Sequence, residues 1–130
     1  METLADAISL EGRDKVSAKE VRAWTRALLE ATGVADRVLA QGINMSEAQL
    51  NRLASGSGTM VKASTLTPLR RAAVVIEEGH KALTAPGLKR WLSTPNPYLN
   101  DVPPILCLRS EKELARVLSL LASIRYGFPA

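Results

Sequence analysis

Signals that begin helices constrain this chain more than any other feature of its sequence. Three serines are each followed three residues later by Glu or Gln, which is the spacing of a capping box. These pairs are Ser17 with Glu20, Ser46 with Gln49, and Ser110 with Glu113. Long runs that alternate β-branched or aromatic residues with polar ones are nearly absent, so strands are not expected. The sequence therefore predicts an all-α fold, a small domain of several helices.

Glycines mark the expected ends of the helices that these boxes begin. The first box predicts a helix over about 18–32 that ends at Gly33, and the second predicts a short helix that ends near Gly56. The third box predicts a last helix that Gly127 ends. We expect the serine side chain of each box to accept a hydrogen bond from a backbone N–H that the helix leaves unpaired.

Two further helices are predicted between the second and third boxes. Thr67-Pro68 predicts a helix over about 68–83, with Thr67 as its cap and Pro68 at its first position. Thr84 or Pro86 then begins the next helix. The 68–83 helix and the last helix each carry an apolar stripe at helical spacing. The stripe residues are Leu69, Ala72, Ala73, Ile76 and Leu83 in the former and Leu114, Val117, Leu118, Leu121 and Ile124 in the latter.

The segment 55–65, SGSGTMVKAST, has the composition of a loop or hinge because it contains two Gly-Ser steps. A boundary placed there divides the chain into an N-terminal helical region, residues 1–66, and a C-terminal region, residues 67–130. A length of 130 residues fits one domain or two small lobes that share a core.

Composition narrows the compartment and the class of partner. A single cysteine permits no internal disulfide, and the N-terminus lacks the basic start and apolar run of a signal peptide, so we expect a cytoplasmic protein. Residues 1–60 hold 7 Lys/Arg against 8 Asp/Glu, whereas residues 61–130 hold 10 against 5, within a net charge of +4. A basic second half favours nucleic acid or an acidic protein as partner, and equally fits a solvated helix face.

The residues that could perform catalysis are few and badly spaced. His80 has no metal-ligand partner at helical spacing, and Cys107 lies among apolar residues without a histidine or basic cluster to activate it. Glu77 and Glu78 are adjacent, so their side chains point in different directions on a helix and form no acid–base pair. We therefore predict that the protein is not an enzyme and holds no metal or cofactor.

Residues 34–56, VADRVLAQGINMSEAQLNRLASG, have the pattern of a helix-turn-helix. The first helix is predicted over about 35–41, Gly42 supplies the turn, and the recognition helix begins after Ser46. The candidate DNA contacts are Gln49 and Arg52 to base edges, and Asn51 and Lys62 to phosphates.

The charge of this segment argues against strong DNA binding, because attraction to phosphates supplies much of the affinity of DNA-binding proteins. Residues 34–56 hold two arginines and two acidic residues and are neutral. The pattern therefore fits a helix-turn-helix that keeps its fold but no longer binds DNA, and it fits a plain helical hairpin equally well.

Residues 88–130, LKRWLSTPNPYLNDVPPILCLRSEKELARVLSLLASIRYGFPA, resemble the C-terminal toxin-binding domain of the Xre/MbcA/ParS antitoxins. The shared positions are Trp91-Leu92, Pro95-Asn96, Leu99, Pro103 or Pro104, Leu106, Val117, Leu121, Ile124 and Gly127. The chain departs from the family pattern at Asn100-Asp101, where a glycine is common, and around 111–113, where another is usual. Asn and Asp tolerate tight turns, so the first departure is mild.

The resemblance implies the fold of the whole chain and its function. It implies a degenerate helix-turn-helix-like N-terminal part packed on a C-terminal helical toxin-binding domain. It also implies an antitoxin of a type II toxin–antitoxin system, which binds a RES-domain toxin that consumes NAD or transfers ADP-ribose, and covers the toxin's NAD pocket. Such antitoxins are usually dimeric, join higher-order complexes, and often repress their own operon. The alternative is a small helix-turn-helix repressor that binds DNA.

Two stretches are candidate contacts for such a partner. Two prolines in PNP fix their own φ and restrict the residues before them, so the loop loses little entropy when a partner docks. Aromatic residues are common anchors at interfaces, and an apolar tail after a final glycine is a second candidate. The partner-binding candidates are Trp91, Pro95, Asn96, Pro97, Tyr98, Leu99, Arg125, Tyr126, Gly127 and Phe128.

Overall fold

Helices make up most of the computed structural model, which describes residues 3–9 and 13–127. The α-helices are α1 (Leu4–Ser9), α2 (Ala18–Thr32), α3 (Asp36–Ile43), α4 (Glu47–Ser55), α5 (Thr67–Ala82), α6 (Ala85–Ser93) and α7 (Glu111–Tyr126). Three 3₁₀ turns lie at Ala63–Leu66, Pro97–Leu99 and Pro104–Leu106, and two short strands are β1 (Lys15–Ser17) and β2 (Met60–Lys62). The predicted all-α class is confirmed.

The predicted capping serines act as expected. The side-chain oxygens of Ser17, Ser46 and Ser110 accept hydrogen bonds from the backbone N–H groups three residues later, at 3.2, 3.1 and 3.2 Å. Thr84 begins α6 in the same way, since its hydroxyl accepts from the N–H of Gly87 at 3.1 Å. Left-handed glycines follow α2, α4 and α7, as predicted. Four helix starts were therefore identified correctly from local sequence.

The start of α5 differs from the prediction by one residue. Thr67 already has helical dihedral angles, φ −52° and ψ −44°, and does not cap the helix. The 3₁₀ turn Ala63–Leu66 runs directly into α5, so the backbone is turned before Thr67 and Leu66 takes the capping position without a side-chain hydrogen bond. Pro68 lies in the first turn, where its missing N–H removes no helical hydrogen bond.

A two-stranded antiparallel ribbon replaces part of the predicted 55–65 loop. Strand β2 pairs with β1 so that Val61 lies opposite Val16, whose side chain is buried in the core. The ribbon is extended by hydrogen bonds from Ala18 N to Thr59 O at 3.0 Å and from Ala63 N to Asp14 O at 2.8 Å. The segment is therefore fixed to the start of α2. The predicted loop is present at residues 56–59, whereas residues 60–65 belong to β2 and the following 3₁₀ turn. Three-residue strands are too short to show the alternation that identifies a strand.

Helix α5 lies at the centre of the fold and packs against α1, α2 and α7. Its predicted stripe is buried at Leu69, Ala72, Ala73 and Ile76, whereas Leu83 follows the helix and is half-buried. On α7 the stripe prediction was wrong at Ile124, which is 42% exposed, and Leu120 is buried instead.

Arg71 of α5 is the charged side chain in the core that sequence reasoning missed. It is 7% exposed, and its guanidinium donates hydrogen bonds to backbone carbonyl groups. Nε donates to Leu108 O at 2.7 Å, while Nη2 donates to Ile43 O at 2.9 Å and to Arg109 O at 3.4 Å. Ile43 is the last residue of α3, where the helix dipole favours a cation. One side chain therefore connects α5, the end of α3 and the segment before α7.

Gly42 lies inside α3 and not in the turn where the sequence predicted it. The turn follows at Asn44, which has a left-handed φ of 63°. A Cβ at position 42 would overlap the carbonyl oxygen of Ile105 in the 3₁₀ turn Pro104–Leu106. Leu108 N also donates to Gly42 O at 3.0 Å. Gly42 is required by the close approach of α3 to the C-terminal part of the chain.

We expect Arg71→Met to destabilise the fold by about 2–4 kcal/mol, because it leaves buried carbonyl oxygens without a donor. The measurement is the free energy of unfolding from urea titration followed by circular dichroism. Arg70→Met is the matched control, since Arg70 makes only an exposed ion pair with Glu111 at 3.8 Å. That control should lose less than about 1 kcal/mol. Equal losses for the two variants would contradict the role assigned to Arg71.

We expect Gly42→Ala to lower the free energy of unfolding by about 1–3 kcal/mol, although alanine favours helices over glycine, because the new methyl group meets rigid backbone. Gly79→Ala is the comparison, since its Cβ would meet the end of the Leu88 side chain at 2.5 Å, and a side chain can change rotamer. Thermal unfolding should show the larger loss for Gly42→Ala. A stability gain at position 42 would contradict the close approach.

Candidate partner-binding surface

The loop after α6 is closed by its own hydrogen bonds. Asn96 N donates to Val102 O at 3.2 Å, and Asp101 N donates to Asn96 O at 2.9 Å. The Asn96 side-chain oxygen accepts from Tyr98 N at 2.9 Å and begins the 3₁₀ turn Pro97–Leu99. These bonds hold residues 96–102 in one conformation. We call residues 95–102 the PNP loop.

Two consecutive left-handed residues close the PNP loop. Asn100 has a φ of 57° and Asp101 a φ of 62°, in the region that most side chains avoid. Asn and Asp are among the side chains that tolerate this region best, as expected for the tight turn at Asn100-Asp101.

Residues of the PNP loop and Trp91 before it differ in exposure. Tyr98 is 60% exposed at the tip, and Pro95 and Pro97 are exposed beside it. Leu99 is 4% exposed and belongs to the core. Trp91 is half-buried and packs against the core, which leaves part of its ring accessible. Adjacent residues of a 3₁₀ turn face different sides, which accounts for the contrast between Tyr98 and Leu99.

The second predicted patch lies at the end of α7. Arg125, Tyr126 and Gly127 are exposed, and the Arg125 guanidinium stacks over the Tyr126 ring at 4.9 Å from its centroid. Arg125 and Tyr126 line a cleft of about 200 Å³ between α5 and α7, together with Val74 and Leu118. Phe128 lies outside the described residues. The PNP loop residues do not line this cleft, so the structure does not join the two predicted patches in one cavity.

A larger cleft, which sequence reasoning missed, lies on the other side of the PNP loop. It has a volume of about 350 Å³, and we call it the Arg109–Arg116 cleft. It is lined by Gln41, Leu99, Asn100, Val102, Leu106, Cys107, Arg109, Glu113 and Arg116. These residues come from α3, the PNP loop, the 3₁₀ turn Pro104–Leu106 and α7, so no local pattern could have identified them together.

Cys107 is the nucleophilic group in that cleft, and its surroundings keep it protonated. Burial raises the pKa of the Cys107 thiol, the Glu113 carboxylate raises it further, and Arg116 opposes both. Its sulfur also contacts the carbonyl oxygen of Pro103 at 3.7 Å. A protonated thiol is a poor nucleophile at neutral pH, so Cys107 does not have the setting of a catalytic cysteine.

The other candidate catalytic residues are not assembled. His80 lines a shallow cleft with Ala27, Glu30 and Lys89, and Cys107 lines a different one. Within residues 3–9 and 13–127, no cluster of three or more His, Cys, Asp or Glu side chains is arranged to hold a metal ion. In the same part of the chain, no helix is both long enough and apolar enough to cross a membrane.

The two helices of the predicted helix-turn-helix are α3 and α4. Helix α3 extends to Ile43 and α4 begins at Glu47, so three residues connect them, which is the connection length of this motif. Gln49, Arg52 and Lys62 line one cleft of about 230 Å³, and the Arg52 guanidinium donates to the Gln49 side chain. Asn51 is exposed and lies outside that cleft. Three of the four candidate DNA contacts therefore line one cleft, and Asn51 does not.

Comparison with known proteins identifies the C-terminal part of the chain. Residues 84–127 match the family described as the antitoxin Xre/MbcA/ParS C-terminal toxin-binding domain. The fold is similar to a chain in the crystal structure of the M. tuberculosis MbcT-MbcA toxin-antitoxin complex, with a TM-score of 0.63. The two chains are 19% identical over 84% of this chain and 96% of that one. No curated protein matches the sequence.

The matched range coincides with structural boundaries. It begins at Thr84, the cap of α6, and ends at Gly127, the glycine that follows α7. It lies inside the predicted C-terminal region 67–130, whose own boundary stays a prediction. The resemblance seen in the sequence is confirmed: residues 84–127 match the model of the Xre/MbcA/ParS antitoxin C-terminal toxin-binding domain.

Proposed function

We propose that this protein is the antitoxin of a type II toxin–antitoxin system, and that it neutralises a RES-domain toxin by binding it and covering its NAD pocket. The observation that carries the proposal is the match of residues 84–127 to the toxin-binding domain of an antitoxin family. The similar fold of a chain from the MbcT-MbcA toxin-antitoxin complex supports it. In this proposal NAD belongs to the toxin, and this chain contributes binding alone, without catalysis.

The geometry of the PNP loop supports a docking role. Tyr98 is an aromatic side chain that projects from a loop already fixed by hydrogen bonds and two prolines. Docking of a partner on such a loop loses little conformational entropy, so the burial of Tyr98 contributes to affinity with little to offset it. Aromatic anchors of this kind carry a large share of the energy of protein interfaces.

The end of α7 completes the proposed contact surface. Arg125 and Tyr126 form an exposed stacked pair at the point where the helix ends. We propose that this pair and the tail after Gly127 approach the nucleotide pocket of the toxin, where a guanidinium favours phosphate groups. The antitoxin would act in the cytoplasm, as a homodimer within a larger toxin–antitoxin assembly.

The test is co-expression of this chain with the product of the neighbouring gene, with growth and co-purification as readouts. We expect the wild-type chain to restore growth and to form a stable complex. Deletion of residues 126–130 should reduce rescue, and Tyr98→Ala should weaken the complex by about thirtyfold or more, since anchor residues contribute about 2 kcal/mol or more.

Met60→Ala is the matched control for Tyr98→Ala, since Met60 is 54% exposed and lies on the ribbon, outside the segment that matches the antitoxin family. It should leave growth rescue and affinity unchanged. If the deletion of residues 126–130 restores growth as well as the wild-type chain does, the tail is not part of the contact surface. Absence of both rescue and complex with the wild-type chain would overturn the antitoxin proposal.

One observation favours a second role in DNA binding. Gln49, Arg52 and Lys62 converge on one cleft, and Lys15 lies directly opposite Lys62 in the ribbon, which adds positive charge that residues 34–56 lack. If this surface binds the operon's upstream DNA, gel retardation should fall steeply with salt. Lys62→Ala, which removes a phosphate contact, should reduce the salt slope by about 1, and Arg52→Ala, which removes a base contact, should relax the sequence preference. Retardation that is equal for unrelated DNA and insensitive to these variants would exclude specific binding there.

A further inference from the structure

The Arg109–Arg116 cleft contains positive charge that the fold does not use. In the described part of the chain, neither the Arg109 nor the Arg116 guanidinium forms a hydrogen bond or an ion pair. Arg116 stands one helical turn after Glu113, a spacing that permits an ion pair, yet the two side chains form none. Unpaired guanidinium groups beside a cavity are able to bind an anion from outside.

The acidic side chains nearest these arginines in sequence are already engaged. One oxygen of the Glu113 carboxylate accepts from the backbone N–H of Arg109 at 2.8 Å. Glu111 pairs with Arg70 of α5 at 3.8 Å and does not line the cleft. The lining therefore holds two guanidinium groups against one carboxylate, which already accepts a hydrogen bond from the backbone. This arrangement favours an incoming negative group.

We propose that the Arg109–Arg116 cleft is a second contact site for the toxin and receives an Asp or Glu side chain of that protein. The inference rests on the antitoxin function proposed above. A carboxylate accepts two parallel hydrogen bonds from a guanidinium, and the amide groups of Gln41 and Asn100 add further donors at the wall. The negative charge of Glu113 opposes a phosphate dianion more strongly than a single carboxylate, which favours a protein side chain as occupant.

The position of the cleft suits a contact made together with the PNP loop. Leu99, Asn100 and Val102 belong to the loop and form part of its wall, while Tyr98 precedes them on the exposed tip. A partner seated on Tyr98 thus has the cleft at its edge. The apolar lining of Leu99, Val102 and Leu106 lowers the local dielectric, so a charge pair formed there is stronger than one on open surface.

Cys107 provides a direct reporter of occupancy, because it lines the cleft and is the single cysteine of the chain. The experiment measures its alkylation by iodoacetamide, read by mass spectrometry of the Cys107 peptide, in the free chain and in the complex with the neighbouring gene's product. We expect alkylation to slow by about fivefold or more in the complex, since the partner covers the thiol and brings a carboxylate that disfavours the thiolate.

Charge variants test the same site through affinity. The double variant Arg109→Gln/Arg116→Gln should bind the partner about tenfold more weakly in 50 mM NaCl, and its affinity should depend less on salt. Lys19→Gln/Lys112→Gln is the control, since it removes the same charge from exposed positions outside the cleft. Glu113→Gln should strengthen the complex, because it removes the opposing charge and keeps an acceptor for Arg109 N.

The outcomes separate the two proposals. If the wild-type complex forms but Cys107 stays as reactive as in the free chain, or if the Arg109/Arg116 double variant binds as the wild type does, the cleft is not a contact and the antitoxin function stands. If the wild-type chain forms no complex, the antitoxin function and this inference are both overturned. Slower alkylation in the wild-type complex, with weaker binding by the double variant alone, supports the inference.

Discussion

The rest of this structure depends on the hydrogen bonds that the guanidinium of Arg71 donates. This buried positive group donates to carbonyl oxygens at the end of α3 and at Leu108 and Arg109. Buried carbonyls that lose a donor are costly, so the positions of these two segments are coupled through one side chain of α5. Arg109 also lines the Arg109–Arg116 cleft. The geometry of that cleft therefore depends on Arg71, which lies outside it.

The segment that matches the antitoxin family is not self-contained in this chain. Its part before α7 is held by Arg71 of α5 and by Gly42, whose carbonyl oxygen accepts from Leu108 N; Arg71 and Gly42 both lie outside residues 84–127. Gly42 lets α3 approach the 3₁₀ turn Pro104–Leu106 closely, and Gln41 beside it reaches the cleft. The N-terminal helix pair therefore positions part of the candidate binding surface.

Local chemistry was readable from the sequence and tertiary contacts were not. Serine caps and terminal glycines act within four residues, so Ser17, Ser46 and Ser110 marked their helices correctly. Arg70 and Arg71 are adjacent and chemically identical, and only the neighbours that pack on α5 decide which one is buried. The burial of Leu99, the exposure of Ile124 and the three-residue strands also depend on distant contacts. Among the site residues, the exposed PNP tip was predictable, whereas a cleft assembled from separate segments was not.

The stiffness of the PNP loop comes more from Asn96 than from the prolines that first indicated it. Pro95 and Pro97 fix their own φ, but they are exposed and close no contact across the loop. Asn96 instead uses its N–H, its carbonyl and its side-chain oxygen to join residues 98–102, and the left-handed Asn100 and Asp101 allow the chain to return to it. Buried Leu99 anchors this closed loop to the core while Tyr98 faces outward. The prolines therefore reduce the entropy of the unbound loop, and Asn96 determines where its aromatic anchor points.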